Sequence, residues 1–289
     1  MQTIKAFEEY LRQDGKSEKT IESYTSDLGG LEVFVKQREI NFDGTLNRFL
    51  ISSYRTMLLE TDYEPTTINK KINSFASYNR FLIEKDIMTE MVVDYKRDRV
   101  KIAKGSEKPV EVYDEKLTDR LLLYIEDNVS LRDKAIVQLL FYTGVRVSEL
   151  CSIRVKDIDF LSHQLRVCGK GGKYREIPLK PEVVESIKAY LIDRQKHKYS
   201  DSEYLLLGQR GAVGRDAINS MLVSLTKKGS FSERLKPHTF RHTFCTRLIN
   251  KGVPLTTVSK LAGHAHIETT AKFYISCSRK EKEQAVSLL

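Results

Sequence analysis

No run of apolar residues in this 289-residue sequence approaches the ~18 that a membrane-spanning helix needs. The first residues, MQTIKAFEEYLRQDGK, carry a charge every few positions. They lack the apolar stretch of a secretory signal, so none is expected. Cysteine is scarce. Cys151, Cys168, Cys245 and Cys277 are scattered with no CxxC pair, which argues against a disulfide framework and for reduced thiols. No GxxxxGK[ST] nucleotide loop, internal repeat or low-complexity tract is present. These absences predict a soluble intracellular protein that makes no use of a membrane.

What is present is ordinary globular composition with a basic excess. Hydrophobic residues make up 40% and charged residues 30%, and 48 Lys+Arg against 39 Asp+Glu leave +9. The excess favours a polyanionic partner, without separating nucleic acid from an anionic surface. The length suggests two domains.

The first hundred residues read as helices. Phe7, Tyr10 and Leu11 share a face before Gly15, and Ser17 is placed to cap a helix carrying Ile21, Tyr24 and Leu28. Pro65 opens another, with Ile68, Ile72, Phe75, Ala76, Tyr78, Phe81 and Leu82 as its apolar side. Lys70, Lys71 and Arg80 lie off that stripe, either as a solvated face or as a track for phosphates. The Gly, Pro and charge of KIAKGSEKP mark a linker. The domains expected are residues 1–102, a linker at 103–110, and 111–289. Beyond the linker the pattern is helical from about Leu117 to Phe141, then broken at Thr143-Gly144. Gln164–Cys168 and Arg175–Leu179 read as a hairpin around GKGGK, and the chain from Pro181 onward reads as helical almost to its end.

Four segments place polar groups where elements begin or turn. In TGVRVSEL, Arg146 follows the break after a long apolar helix. In GKGGK, Lys170 and Lys173 sit in a turn whose glycines let backbone approach an anion. In KPHTFRHTFCTR, Pro237 sets His238 and Arg241 on the first turn of a helix, where free N–H groups already favour an anion. His238 and His242, four apart, are also half of a zinc pattern, but no Glu base lies between them and Arg241 sits beside them. In LAGHAHIETTAKFY, His264 follows a glycine stop and Tyr274 ends the next short helix. Each signal alone is also met in a surface arginine, an idle hairpin, or a packed tyrosine.

In this order and spacing, the four segments resemble the tyrosine recombinase family, most nearly its Xer-type and transposon-borne integrases. The resemblance covers nearly the whole chain. It implies a mainly α fold with a small β-hairpin sheet, built as a two-domain C-shaped clamp. A helical core-binding, DNA-binding domain would precede a mixed α+β catalytic domain with a helical tail. It implies site-specific cleavage and rejoining of DNA through a 3′-phosphotyrosyl intermediate and a Holliday junction, with no metal, ATP or other cofactor. Arg146, Arg241, His238 and His264 would hold the scissile phosphate, Lys170 would be the general acid with Lys173 second, and Tyr274 the nucleophile. Lys70, Lys71, Arg80 and Lys173 would contact DNA, and Glu149 would be supporting structure.

The partners implied are double-stranded DNA, three further copies in a synaptic homotetramer, and possible accessory proteins. Val286, Leu288 and Leu289 would anchor the tail on a neighbour, in a bacterial cytoplasmic, nucleoid-associated setting. One feature departs from the family. The ninth residue after the GH histidine, often the nucleophile, is Phe273, and Tyr274 is the tenth. Either the turn carries one extra residue, or the chain is a non-cleaving DNA-binding variant. A metal-dependent nuclease is the remaining rival.

Overall fold

The computed structural model describes residues 2–101, 110–169 and 172–274. The chain divides into two compact units, residues 1–107 and 108–289. Most of the linker, Lys170 and the tail anchors Val286, Leu288 and Leu289 lie outside the described residues.

The first unit is helical: α1 (Gln2–Gln13), α2 (Glu18–Gln37), α3 (Arg48–Glu60), α4 (Pro65–Glu84) and the single turn α5 (Tyr95–Asp98). Local chemistry sets these ends. Gly15 adopts φ +69° after α1, the Ser17 hydroxyl accepts from the Thr20 N–H at the start of α2, and Pro65 occupies the first turn of α4. The predicted faces converge, with Phe7, Leu28, Ile68, Phe75, Tyr78 and Phe81 in one core. The rings of Phe7 and Tyr78 meet edge to face at 5.1 Å.

The second unit begins with α6 (Glu115–Asp127), α7 (Leu131–Thr143) and α8 (Val147–Ser152). The helix expected to run unbroken to Phe141 is therefore two helices. Asn128 ends the first by donating its N–H to Tyr124 O, and the Ser130 hydroxyl caps the second through the Asp133 N–H. Every residue of α7 from Ala135 to Phe141 is buried, so α7 is the central rod of this unit rather than an amphipathic surface helix. Strands β1 (Ile158–Asp159), β2 (Gln164–Cys168) and β3 (Tyr174–Pro178) form an antiparallel sheet in the order β1-β2-β3. Leu165 pairs with Ile177 and Val167 with Arg175. Since side chains alternate along a strand, Arg175 shares the inward face of β3 with buried Ile177.

After α9 (Pro181–Arg194) come β4 (Leu207–Gly208) and β5 (Gly211–Ala212), a short hairpin. Helix thus gives way to irregular chain where continuous helix was expected. Arg194 holds this segment: its buried guanidinium donates to the carbonyls of Ser200, Ser202, Tyr204 and Leu205, meeting acceptors that no helix satisfies there. Then follow α10 (Arg215–Lys228), α11 (Pro237–Asn250), α12 (Leu255–Ala262) and α13 (Ile267–Tyr274). The result is a mainly α protein with small antiparallel sheets. Among the described residues no helix is long and apolar enough to cross a membrane.

Candidate functional site

The site grows from the ends of buried helices. Helix α7 stops at Gly144, whose φ of +61° suits a left-handed cap. The turned backbone then presents the Gly144 carbonyl to Arg241 Nη1 at 2.7 Å. Arg241 lies on the first turns of α11 and is only 3% exposed. Its other terminal nitrogen, Nη2, is buried with no hydrogen-bond partner among the described residues. Burial, then the charge of Arg146, lowers the pKa of this guanidinium, which still stays protonated at neutral pH.

Two residues past Gly144, Arg146 is the N-cap of α8. Its N–H and Nη1 donate to the two oxygens of Glu149, both at 2.8 Å, and its Nη2 donates to Gly263 O at 2.9 Å. Glu149 is 5% exposed and also receives Arg175 from β3, through Nη1 at 3.1 Å and Nη2 at 2.8 Å. Burial pushes the Glu149 carboxyl up, but hydrogen bonds from Arg175 and the Arg146 amide outweigh it and hold it below the ordinary value.

Gly263, at φ +67°, ends α12 and releases the chain to His264. The His264 N–H bonds Ser259 O, and its Nδ1 lies 2.8 Å from the hydroxyl of fully buried Thr270. His238 lies one turn before Arg241 and is the exposed member, with its ring 4.1 Å from that of His242. Arg146, Glu149, Lys173, Arg175, Gly263 and His264 line a single cleft of about 1080 Å³. Helix α13 carries both Phe273 and Tyr274 in its last turn; their side chains lie outside the described residues, as Lys170 does entirely.

The histidines are held neutral. Burial first, then Arg241 and Arg146, bring His264 to about 4. Burial and then His238 bring His242 to about 4 as well. Desolvation and the same two arginines lower His238. A folded-state pKa below the ordinary ~6.5 means that the unfolded chain binds protons first as pH falls. Their contribution to stability is intact above about 6.5 and drains away as pH falls towards 4. The melting temperature is expected to fall steadily across that window. The fall should be shallower in His242→Gln, and an equal slope in both proteins would contradict these environments.

In the first unit, the structure gives Lys71 of α4 an internal partner, where the sequence leads one to expect either a solvated face or a track for phosphates. Asp27 is buried on α2 and takes Ser74 Oγ at 2.7 Å, Lys70 Nζ at 3.1 Å and Lys71 Nζ at 3.3 Å. The Lys71 side chain is 13% exposed, whereas that of Lys70 is half exposed and Arg80 lies at the surface. Among the described residues no group of three or more His, Cys, Asp or Glu side chains is placed to hold a metal ion.

The site thus brings Arg146, Arg241 and His264 together around Gly144 and Gly263. The groups that sequence patterns did not single out are Arg175 and Thr270. The parity of Arg175 with Ile177 on one strand was the available signal for the first. Thr270 falls within the TT pair of a recognised motif, but nothing in the spacing indicates that it orients a histidine.

The Phage integrase family matches residues 111–281, and the N-terminal SAM-like domain of phage integrases matches residues 4–86. The chain is 35% identical over 280 residues to the TnP I resolvase of Bacillus thuringiensis, covering 93% of this chain and 94% of that protein. It is 32% identical over 263 residues to tyrosine recombinase XerC of Staphylococcus saprophyticus, covering 89% and 86%. The fold matches that of the Tn1549 transposon integrase in complex with transposon right end DNA, with a TM-score of 0.75 and 21% identity over 99% of both chains.

Proposed function

The chain belongs to the phage integrase family of tyrosine-type site-specific recombinases, and from that membership we propose that it cuts and rejoins duplex DNA through a 3′-phosphotyrosyl bond to Tyr274. The observation that carries the reading is the buried Nη2 of Arg241, which has no hydrogen-bond partner among the described residues. A guanidinium nitrogen is costly to bury without an acceptor, and a non-bridging phosphate oxygen is the acceptor such a fork suits.

A phosphodiester is anionic and repels nucleophiles, so charge must be met where it grows in the transition state. Arg146 and Arg241 take the non-bridging oxygens. His238 and His264, neutral at pH 7, act as hydrogen-bond donors rather than cations. Donation by the Thr270 hydroxyl to His264 Nδ1 would leave Nε2 carrying the proton towards the phosphate.

The Tyr274 oxygen attacks phosphorus and the P–O5′ bond breaks. Lys170, or Lys173 from the same turn, supplies the proton to the departing oxygen. A phenol loses its proton near ~10, so the nucleophile needs cationic neighbours to be available near neutrality, a part that the phosphate-holding arginines would play. The covalent bond conserves energy, so the 5′-hydroxyl of a second duplex reseals the strand without ATP or metal. Exchange of one pair of strands at a time passes through a Holliday junction within a homotetramer, the tail residues Val286, Leu288 and Leu289 docking on a neighbour. In the first unit, Lys70 and Arg80 supply backbone contacts; Lys71 does so only by leaving Asp27. Accessory proteins would act on the choice and pairing of sites.

The reading is tested on a nicked duplex that traps the cut strand, using a site selected from random DNA by binding. A covalent protein–DNA adduct that forms undiminished in EDTA is expected. Product formation that disappears with chelator would assign a metal-dependent nuclease instead. Binding without an adduct would favour the non-cleaving variant that Phe273 suggests.

A further inference from the structure

The Arg175–Glu149 pair has no role in the chemistry above, yet it is the most heavily bonded group in the cleft. Glu149 accepts from Arg175 Nη1 and Nη2 and from Arg146 Nη1 and the Arg146 amide. Four bonds fill the acceptor capacity of a carboxylate. Two guanidinium charges face this one carboxylate, so one positive charge is left over. The side chain of Arg175 is 13% exposed against 40% for Arg146, so Arg146 is the member that can offer the surplus to a ligand. Arg175 also reaches across to the turn before His264. Its Nε donates to Leu261 O at 2.9 Å, and its guanidinium lies flat against Gly263, where a Cβ would stand 2.8 Å from Nη1. The Gly263 carbonyl, on the same peptide turn, is the one held by Arg146.

We infer that Arg175 is a positioning residue that shares the Glu149 carboxylate with Arg146, keeping the Arg146 charge available to phosphate and fixing the turn that presents His264. The inference rests on the recombinase reading for its substrate, a DNA phosphodiester. Without Arg175, the whole negative charge of Glu149 falls on Arg146. The clamp is then neutralised from behind. Removing that charge as well should undo much of the damage, which a merely structural role does not predict.

The test compares Arg175→Met, Arg175→Lys, Glu149→Gln and the Arg175→Met/Glu149→Gln double variant. Each is measured for single-turnover cleavage of the nicked duplex, duplex Kd, and binding of inorganic phosphate followed by phosphorus NMR line broadening. Arg175→Met should slow cleavage about 10- to 100-fold with duplex Kd within about twofold, since most duplex affinity comes from backbone contacts elsewhere, and it should weaken phosphate binding. The double variant should recover much of both losses. Arg175→Lys keeps the charge in a folded protein and should fall between wild type and Arg175→Met. Losses in the double variant as large as the product of the single ones would overturn the inference, as would Arg175→Lys no better than Arg175→Met. The phosphate measurement needs no cleavage. If wild type forms no adduct, the recombinase reading fails, while unchanged phosphate affinity in Arg175→Met refutes the role of Arg175 itself.

Discussion

Arg241→Lys is expected to lower the rate of DNA cleavage by about 10³-fold or more while leaving duplex affinity nearly unchanged. Two features of the site combine to make the effect large. Nη1 is already committed to the Gly144 carbonyl at 2.7 Å, so the fork divides its labour between fixing the turn and meeting a ligand with Nη2. A lysine has one nitrogen on a flexible stem and cannot hold both places in a rigid geometry. It does keep the charge in a site that is 3% exposed, so the fold survives and the loss is one of alignment. Single-turnover cleavage measured beside a gel-shift Kd checks this. Cleavage within tenfold of wild type would mean that Arg241 does not align the phosphate.

Gly144→Ala is expected to destabilise the second unit by roughly 3 kcal/mol, from left-handed strain on a non-glycine residue and overpacking of a filled core. At φ +61° an added Cβ is strained whatever the space around it, and here it would overlap the Phe244 ring. Phe244 and Arg241 sit on the same helix, so any shift that relieves the overlap moves the guanidinium as well. A fall in melting temperature of about 6–12 °C follows for a unit of this size. Adding Phe244→Leu should recover part of it, because the overlap goes while the backbone strain stays. A melting temperature unchanged by Gly144→Ala would mean that the turn yields to a Cβ without strain.

Much of this was legible in the sequence where the signal is local. Ser17, Pro65 and Pro237 marked helix starts, and Gly144 and Gly263 marked stops, because capping and left-handed turns are written in one or two residues. The β2–β3 hairpin showed itself through alternation around a glycine turn. What stayed hidden depends on distance along the chain. Arg175 meets Glu149 from 26 residues away, and Lys71 meets Asp27 from 44. No periodicity predicts such partners, so Lys71 read as a surface residue although a buried carboxylate had claimed it. The break at Asn128–Ser130 was masked by apolar residues on both sides, which continue one helical pattern across two helices.

Tyr274 is proposed to carry the covalent bond, and trapping the adduct with wild type, Tyr274→Phe and Phe273→Tyr side by side in EDTA tests it. An adduct is expected with wild type, none with Tyr274→Phe, and a phosphotyrosyl peptide spanning Tyr274 on digestion. An adduct that persists in Tyr274→Phe, or that forms only when Phe273 becomes tyrosine, would contradict it.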